Sequence, residues 1–273
     1  MKLTMLGTGN AMVSKIYNTC FLLEEAGEYL LVDGGGGNRI FERLQNAGVE
    51  DLTKIRDIIV THTHMDHVLG VLWVIRSICQ KMNSDNYTGE LNVYAHDEAI
   101  AIIRHLTELL MIEKQARFIG KLVHLIAVEH EQTIPLLGHP VTFFDTGSTK
   151  TKQFGFTMEY APGQKLTCLG DEPYKECERP YAQGSTWLMH EAFCLHGQAD
   201  IFKPYEKHHS TVRDAARLAK ELQVENLLLY HTEEVTIDNR RRLYYEEARQ
   251  FFDKGIYIPE DMESIELSSD RKA

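Results

Sequence analysis

"DIIVTHTHMDHVLG", residues 57–70, runs from a β-type apolar segment directly into three histidines and an aspartate, then back into apolar residues. The β-branched residues ahead of the cluster predict a strand, and the pattern behind it predicts a helix over Val68–Met82. On a loop leaving a strand, His62, His64, Asp66 and His67 can converge on one region. On one helix the same spacings would spread them around the axis. Imidazoles together with a carboxylate are the usual ligands of zinc, iron and manganese, so this stretch predicts a metal site at the end of a strand.

Working outward, the residues before the cluster alternate strand-like runs ("KLTMLG", "TCFLLEE", "EYLLV") with glycine turns and one helical run, "NRIFERLQNAG". That is an α/β opening. Beyond the cluster, the pattern predicts a strand over Leu91–Ala95 and a helix over Asp97–Leu109. Strands are expected over Val141–Asp145, Gly155–Tyr160, Lys165–Leu169 and Trp187–Met189. A helix over Thr211–Leu222 leads into the strand Asn226–Tyr230, and a last helix covers Asp238–Phe252. No repeat or Pro/Ser linker divides the chain, so residues 1–273 read as one domain, with a frayed tail from about residue 266.

Composition narrows the function classes. The chain has 273 residues, 43% of them hydrophobic, which is enough for a sizeable core. No apolar run approaches the ~20 residues that span a bilayer. The start, "MKLTMLGTGN", lacks the apolar stretch of a signal peptide, so a cytoplasmic protein without membrane partners is expected. Five scattered cysteines without a CxxC pair indicate reduced thiols. A formal charge of −11 argues against broad, nonspecific nucleic-acid binding.

The cluster and several later motifs together resemble the metallo-β-lactamase superfamily, and within it the ribonuclease Z-like branch. "LTCLGDE" places Asp171 like the family's bridging aspartate, and "LLLYHTE" places His231 like its last ligand. "YLLVDGGGG" is similar to its Asp-Gly turn, so Asp33 reads either as a partner behind the ligands or as part of a plain glycine turn. "WLMHEAF" resembles the branch's His-Glu-Ala-Thr loop, with Phe193 in place of threonine. "KHHSTVRDAARLAKEL" resembles its His-Ser-Thr loop and following helix, which brings Glu191 and His209 to the site, with His190 and His208 as adjacent alternatives. The resemblance implies a four-layer αββα metallo-β-lactamase sandwich holding two divalent metal ions, zinc first, with manganese or iron as alternatives. His62 and His64 would serve one ion, Asp66, His67 and His231 the other, and Asp171 both.

One ligand of the family pattern is missing. Its third histidine belongs within "FFDTGSTKTKQFGFTMEY", where no histidine stands; Gly147 and Thr149 are the expected replacements, beside Ser148. His139 lies a strand's length away, about 26 Å at ~3.3 Å per residue, and does not substitute. If a full structural site supplies ~10–16 kcal/mol of binding, one ligand's share is about 3 kcal/mol, so the first site is expected to bind roughly a hundredfold more weakly.

The resemblance implies a metal-dependent hydrolase. A metal-bound hydroxide would attack, Asp66 would help to orient it, and Glu191 with His209 would protonate the leaving group. Ribonuclease Z proteins cut precursor transfer RNA and commonly grip it with a flexible arm ahead of the bridging aspartate. Here "GFTMEYAPGQKLTCLGD" turns from strand to strand through "APGQ", leaving no room for an arm there. The expected substrate is therefore a small phosphodiester or nucleotide-like molecule. RNA, another ester class (aryl sulfate, thioester or lactone) and a noncatalytic metal-binding regulator are the alternatives. The resemblance also brings a homodimer as an expectation.

Overall fold

Strand residues alternate between two faces, and in this chain both faces are buried. The computed structural model describes residues 1–267. In β1 (Lys2–Gly7), Leu3 and Met5 point one way and Leu6 the other; in β2 (Cys20–Glu25), Phe21 and Leu23 join the first set and Leu22 the second. β3 (Glu28–Val32) is followed by helix α1 (Ile40–Asn46) and then by β4 (Ile55–Ile59). Next come α2 (Met65–Asn83), β5 (Leu91–Ala95), α3 (Asp97–Leu110), the short α4 (Glu113–Ala116) and β6 (Val123–Ala127).

The rest of the chain builds a second half from β7 (Thr133–Leu136), β8 (His139–Asp145), β9 (Phe154–Ala161), β10 (Gln164–Cys168), α5 (Arg179–Ala182) and β11 (Trp187–Glu191). It is completed by α6 (Ala199–Phe202), α7 (Val212–Glu221), β12 (Asn226–Tyr230), α8 (Arg240–Ala248), β13 (Gly255–Tyr257) and β14 (Ser264–Glu266). The strands form two seven-stranded sheets, ordered β14-β1-β2-β3-β4-β5-β6 and β13-β12-β11-β10-β9-β8-β7. Each sheet begins antiparallel and becomes parallel, from β3 to β6 in one and from β10 to β13 in the other.

Three cores make four layers. Leu31, Ile58 and Val93 pack under α1, α2 and α3; Leu3, Phe21, Phe143, Phe156 and Met189 fill the space between the sheets; Leu188, Leu227 and Leu229 pack under α7 and α8. This is the expected αββα sandwich. Truncating one of the buried phenylalanines between the sheets to alanine would cost about 3–5 kcal/mol. No helix among the described residues is long and apolar enough to cross a membrane.

Two boundaries differ from the sequence reading. Helix α2 starts at Met65 rather than Val68, because His64 caps it in an extended conformation and the chain turns into the helix at once. Asp66 and His67 therefore sit on its first turn, where a carboxylate also complements the helix dipole. Glu266 is paired with Lys2 in β14, and Leu267 is buried. The remaining tail residues, 268–273, lie outside the described ones. Strands β6, β7, β13 and β14 had no assignment from the sequence; β7 contains Pro135, which a sheet tolerates at an edge.

Candidate metal centre

The parallel strands of both sheets deliver polar residues just past their C-terminal ends, where open α/β sheets place their sites. Asp33 follows β3, the histidine cluster follows β4, Asp171 follows β10, Glu191 ends β11 and His231 follows β12. Asp33 and His231 both adopt left-handed backbone conformations, at φ 56° and 58°. Such a conformation costs roughly 1–2 kcal/mol for a non-glycine residue, a strain that clusters at functional sites.

One carboxylate oxygen gathers the site. Asp171 Oδ2 lies 3.6 Å from His62 Nε2, 3.5 Å from His67 Nε2 and 3.4 Å from His231 Nε2. His62 Nε2 also lies 2.9 Å from His64 Nδ1, and Asp66 Oδ2 lies 3.4 Å from His67 Nε2. Two donor sets share His67, one with His62 and Asp171 and one with Asp66 and His231, the ligand atoms of each lying within 4.8 Å of one another. All six residues expected as ligands are thus brought together. His64 is exposed at the mouth, whereas the other five are buried.

The outward nitrogens are held from behind. His67 Nδ1 lies 2.8 Å from Asp33 Oδ2, whose carboxylate also accepts from Thr61 N and Thr61 Oγ1. His231 Nδ1 lies 3.0 Å from Thr19 Oγ1, and His62 Nδ1 lies 3.0 Å from Thr61 Oγ1. These contacts fix ring orientation, as partners of metal-bound histidines do. Asp33 therefore contacts one of the expected ligands directly.

The charges also fit a cation. Burial pushes His62 well below the ordinary imidazole range and His231 down to about 3, so both are neutral and have a lone pair to give. Burial works against the charge on Asp171, but the surrounding imidazoles outweigh it and hold that carboxyl well below its usual range; Asp66 is likewise lowered, by His67. His67 is raised against its burial by Asp66 and Asp33. The carboxylates of Asp33, Asp66 and Asp171 thus call for positive charge at one point. His67 Nε2 is buried there without a hydrogen-bond partner, and a cation at that point would take the place of its proton.

The acid–base pair expected from the sequence lies beside this centre. Glu191 is fully buried; Oε1 accepts from Ser210 N, and Oε2 lies 3.5 Å from His209 Nδ1. His209 stacks on Phe193 with ring centroids 4.8 Å apart and lies 5.3 Å from the His231 ring. Burial pushes the His209 imidazole down, but Glu191 and Asp171 together more than reverse this, and the net shift is upward. Helix α7 holds the loop in place, with a Thr211–Asp214 capping box immediately after Ser210. His190 shares the face of β11 that looks toward α7, and its Nδ1 lies 2.6 Å from the Glu191 carbonyl oxygen. Glu191, not His190, reaches His209.

The stretch without the third histidine is organised differently from the sequence reading. Gly147 and Thr149 are exposed, and Ser148 Oγ donates to Glu172 Oε1, next to Asp171 in the chain, at 2.6 Å. The side chain from this stretch that is hydrogen-bonded to the ligands belongs to Gln153. The available sequence signal was only the last residue of the polar run "STKTKQ" directly before the apolar "FGF", and nothing in that run set it apart.

A model of the family described as "Anti-Pycsar protein Apyc1" matches residues 1–255. The ribonuclease Z of Methanothermobacter thermautotrophicus is 25% identical, over 98% of this chain and 97% of its own. Among solved structures, the Bacillus subtilis metallo-β-lactamase fold protein YhfI superposes with a TM-score of 0.79 at 18% identity, covering 97% of this chain and 98% of its own. The short form of human tRNase Z superposes with a TM-score of 0.74 at 23% identity, covering 98% of this chain and all of its own.

Proposed function

Since this chain belongs to the Anti-Pycsar protein Apyc1 family, within the ribonuclease Z-like part of the metallo-β-lactamase superfamily, we propose that it is a metal-dependent phosphodiester hydrolase acting on a small, nucleotide-like substrate. The observation that carries this reading is the convergence of three imidazole nitrogens on Asp171 Oδ2 at 3.4–3.6 Å, beside the Glu191–His209 pair. His62, His64 and Asp171 would hold one divalent ion and Asp66, His67, His231 and Asp171 a second, with zinc the first choice and manganese or iron suited to the same donors. When bound, such ions supply Lewis acidity and a nucleophile derived from water near neutral pH. Asp33 and Thr19 hold the rings of His67 and His231. Glu191 faces His209 Nδ1, which favours the protonated imidazole, and His209 then gives its proton to the leaving oxygen.

A small substrate is favoured over transfer RNA by the β9–β10 connection. It closes through Pro162 and Gly163 alone, where a gripping arm would emerge. Ligands drawn from both sheets support the reading of one domain. Free thiols at Cys20, Cys79, Cys168, Cys177 and Cys194 support a reducing, cytoplasmic setting. For a homodimer, the exposed apolar side chains Trp73, Leu109 and Leu110 on α2 and α3 would supply the contact.

A substrate panel tests the reading: a nitrophenyl phosphodiester, a precursor transfer RNA, an aryl sulfate and a thioester, each with zinc, manganese and iron. Metal-dependent turnover of the small phosphodiester well above the other three is expected. Preferred cleavage of the transfer RNA, or no turnover by fully loaded protein, would overturn it.

A further inference from the structure

Gln153 lies in the stretch where the family pattern has its third histidine, yet it approaches the ligands from outside. Its side chain is 1% exposed. Nε2 donates to Asp171 Oδ1 at 2.5 Å and lies 3.0 Å from His62 Nδ1. Oε1 is buried without a partner. Its backbone is fixed as well: Thr146 N and Thr146 Oγ1 both donate to the Gln153 carbonyl at 3.1 Å, and Phe154 N donates to Thr61 O at 3.0 Å. Gly170 leaves room for the amide, because a Cβ there would stand 2.7 Å from Gln153 Cδ.

Packing alone does not account for a glutamine here. A buried amide oxygen without a partner is unfavourable, and methionine would fill a similar space without one. What the amide achieves is asymmetry in Asp171. With Oδ1 engaged from behind by a charge-assisted hydrogen bond, Oδ2 is left facing His62, His67 and His231, and the carboxylate cannot rotate without losing that bond.

We propose that Gln153 is a positioning residue for the metal centre, which locks Asp171 with Oδ2 turned toward His62, His67 and His231 and thereby supplies the anchoring that the absent third histidine does not. This rests on the reading that the six ligands hold two divalent ions. Carboxylates that ligate metals are commonly hydrogen-bonded by an outer partner, and losing such a partner lowers metal affinity roughly 10–100-fold.

The test compares wild type with Gln153→Met. Each protein is loaded with zinc and dialysed against graded chelator, and the metal per chain is counted; cobalt(II)-loaded samples give visible spectra that report ligand geometry. Wild type is expected to hold two ions. Gln153→Met should release its ions at roughly 10–100-fold lower chelator concentration, the one on the His62 side first, and change the cobalt spectrum. The metal-stripped variant should melt somewhat below wild type, because the buried Asp171 Oδ1 loses its hydrogen-bond partner. Chelator release and cobalt spectra identical to wild type would overturn the proposal. So would earlier release with an unchanged cobalt spectrum, which marks a merely structural role. If wild type itself fails to hold two ions, the two-ion reading falls first and this inference with it.

Discussion

Glu191 is completely buried, and its Oε2 has no hydrogen-bond partner although His209 Nδ1 stands 3.5 Å away. Glu191→Gln keeps an oxygen for Ser210 N and removes the charge that faces the imidazole. It should lower kcat about a hundredfold, and His209→Ala at least as much, with metal content unchanged by elemental analysis. Emptying of the centre in either variant would make these residues ligands or structural supports instead. A second buried acid gives a pH test. Burial pushes the Glu178 carboxyl up to about 8 from an ordinary 4.5, against the Lys175 N–H and ammonium. Between those values the folded chain holds a proton that the unfolded chain has lost. Its contribution to stability is therefore full below the unfolded value and is lost as pH rises through the folded one. Glu178→Gln should match wild type near pH 5 and melt roughly 3–6 °C higher near pH 9, a gain of about 1–2 kcal/mol. An identical difference at both pH values would count against this. At this scale most of the centre was legible: His62, His64, Asp66, His67, Asp171, His231, Glu191 and His209 each follow a recognisable run. Gln153 was not, because its role depends on which way a single amide points.

Helix α2 approaches the turn after β3 closely enough for backbone to meet backbone. Gly34 N donates to His67 O and Gly70 N to Gly35 O, both at 2.8 Å, and a Cβ on Gly70 would stand 1.8 Å from Gly34 O. Gly70→Ala must therefore push the helix away from the turn. It should cost about 3 kcal/mol or more by denaturant midpoint, and metal content should fall with it because His67 moves too. A variant as stable as wild type would show that the turn yields without cost. Long periodic elements were legible from the sequence because their side chains alternate between two cores. The start of α2 was not, since the polar residues at its first turn serve ligation and mask the helical pattern. Three-residue strands such as β13 and β14 carry too little pattern to be seen and are specified by their neighbours in the sheet.

The two sheets meet at the candidate metal centre, four of the expected ligands following a strand of one and two following strands of the other. An ion bound there stabilises only the folded chain, by about 2.7 kcal/mol per site at a hundred times its Kd. Metal-saturated protein should melt several degrees above metal-stripped protein, and re-addition should restore the difference. Equal melting temperatures would mean that the donors do not act together. The donors are also far apart along the chain. The first four have been made by residue 67, Asp171 follows much later, and His231 closes the set. A growing chain on the ribosome therefore presents its histidine cluster long before its partners exist, and the strand that carries His231 must dock before the centre is complete. An ion that needs the whole donor set would therefore be selected by the finished fold rather than by the nascent motif.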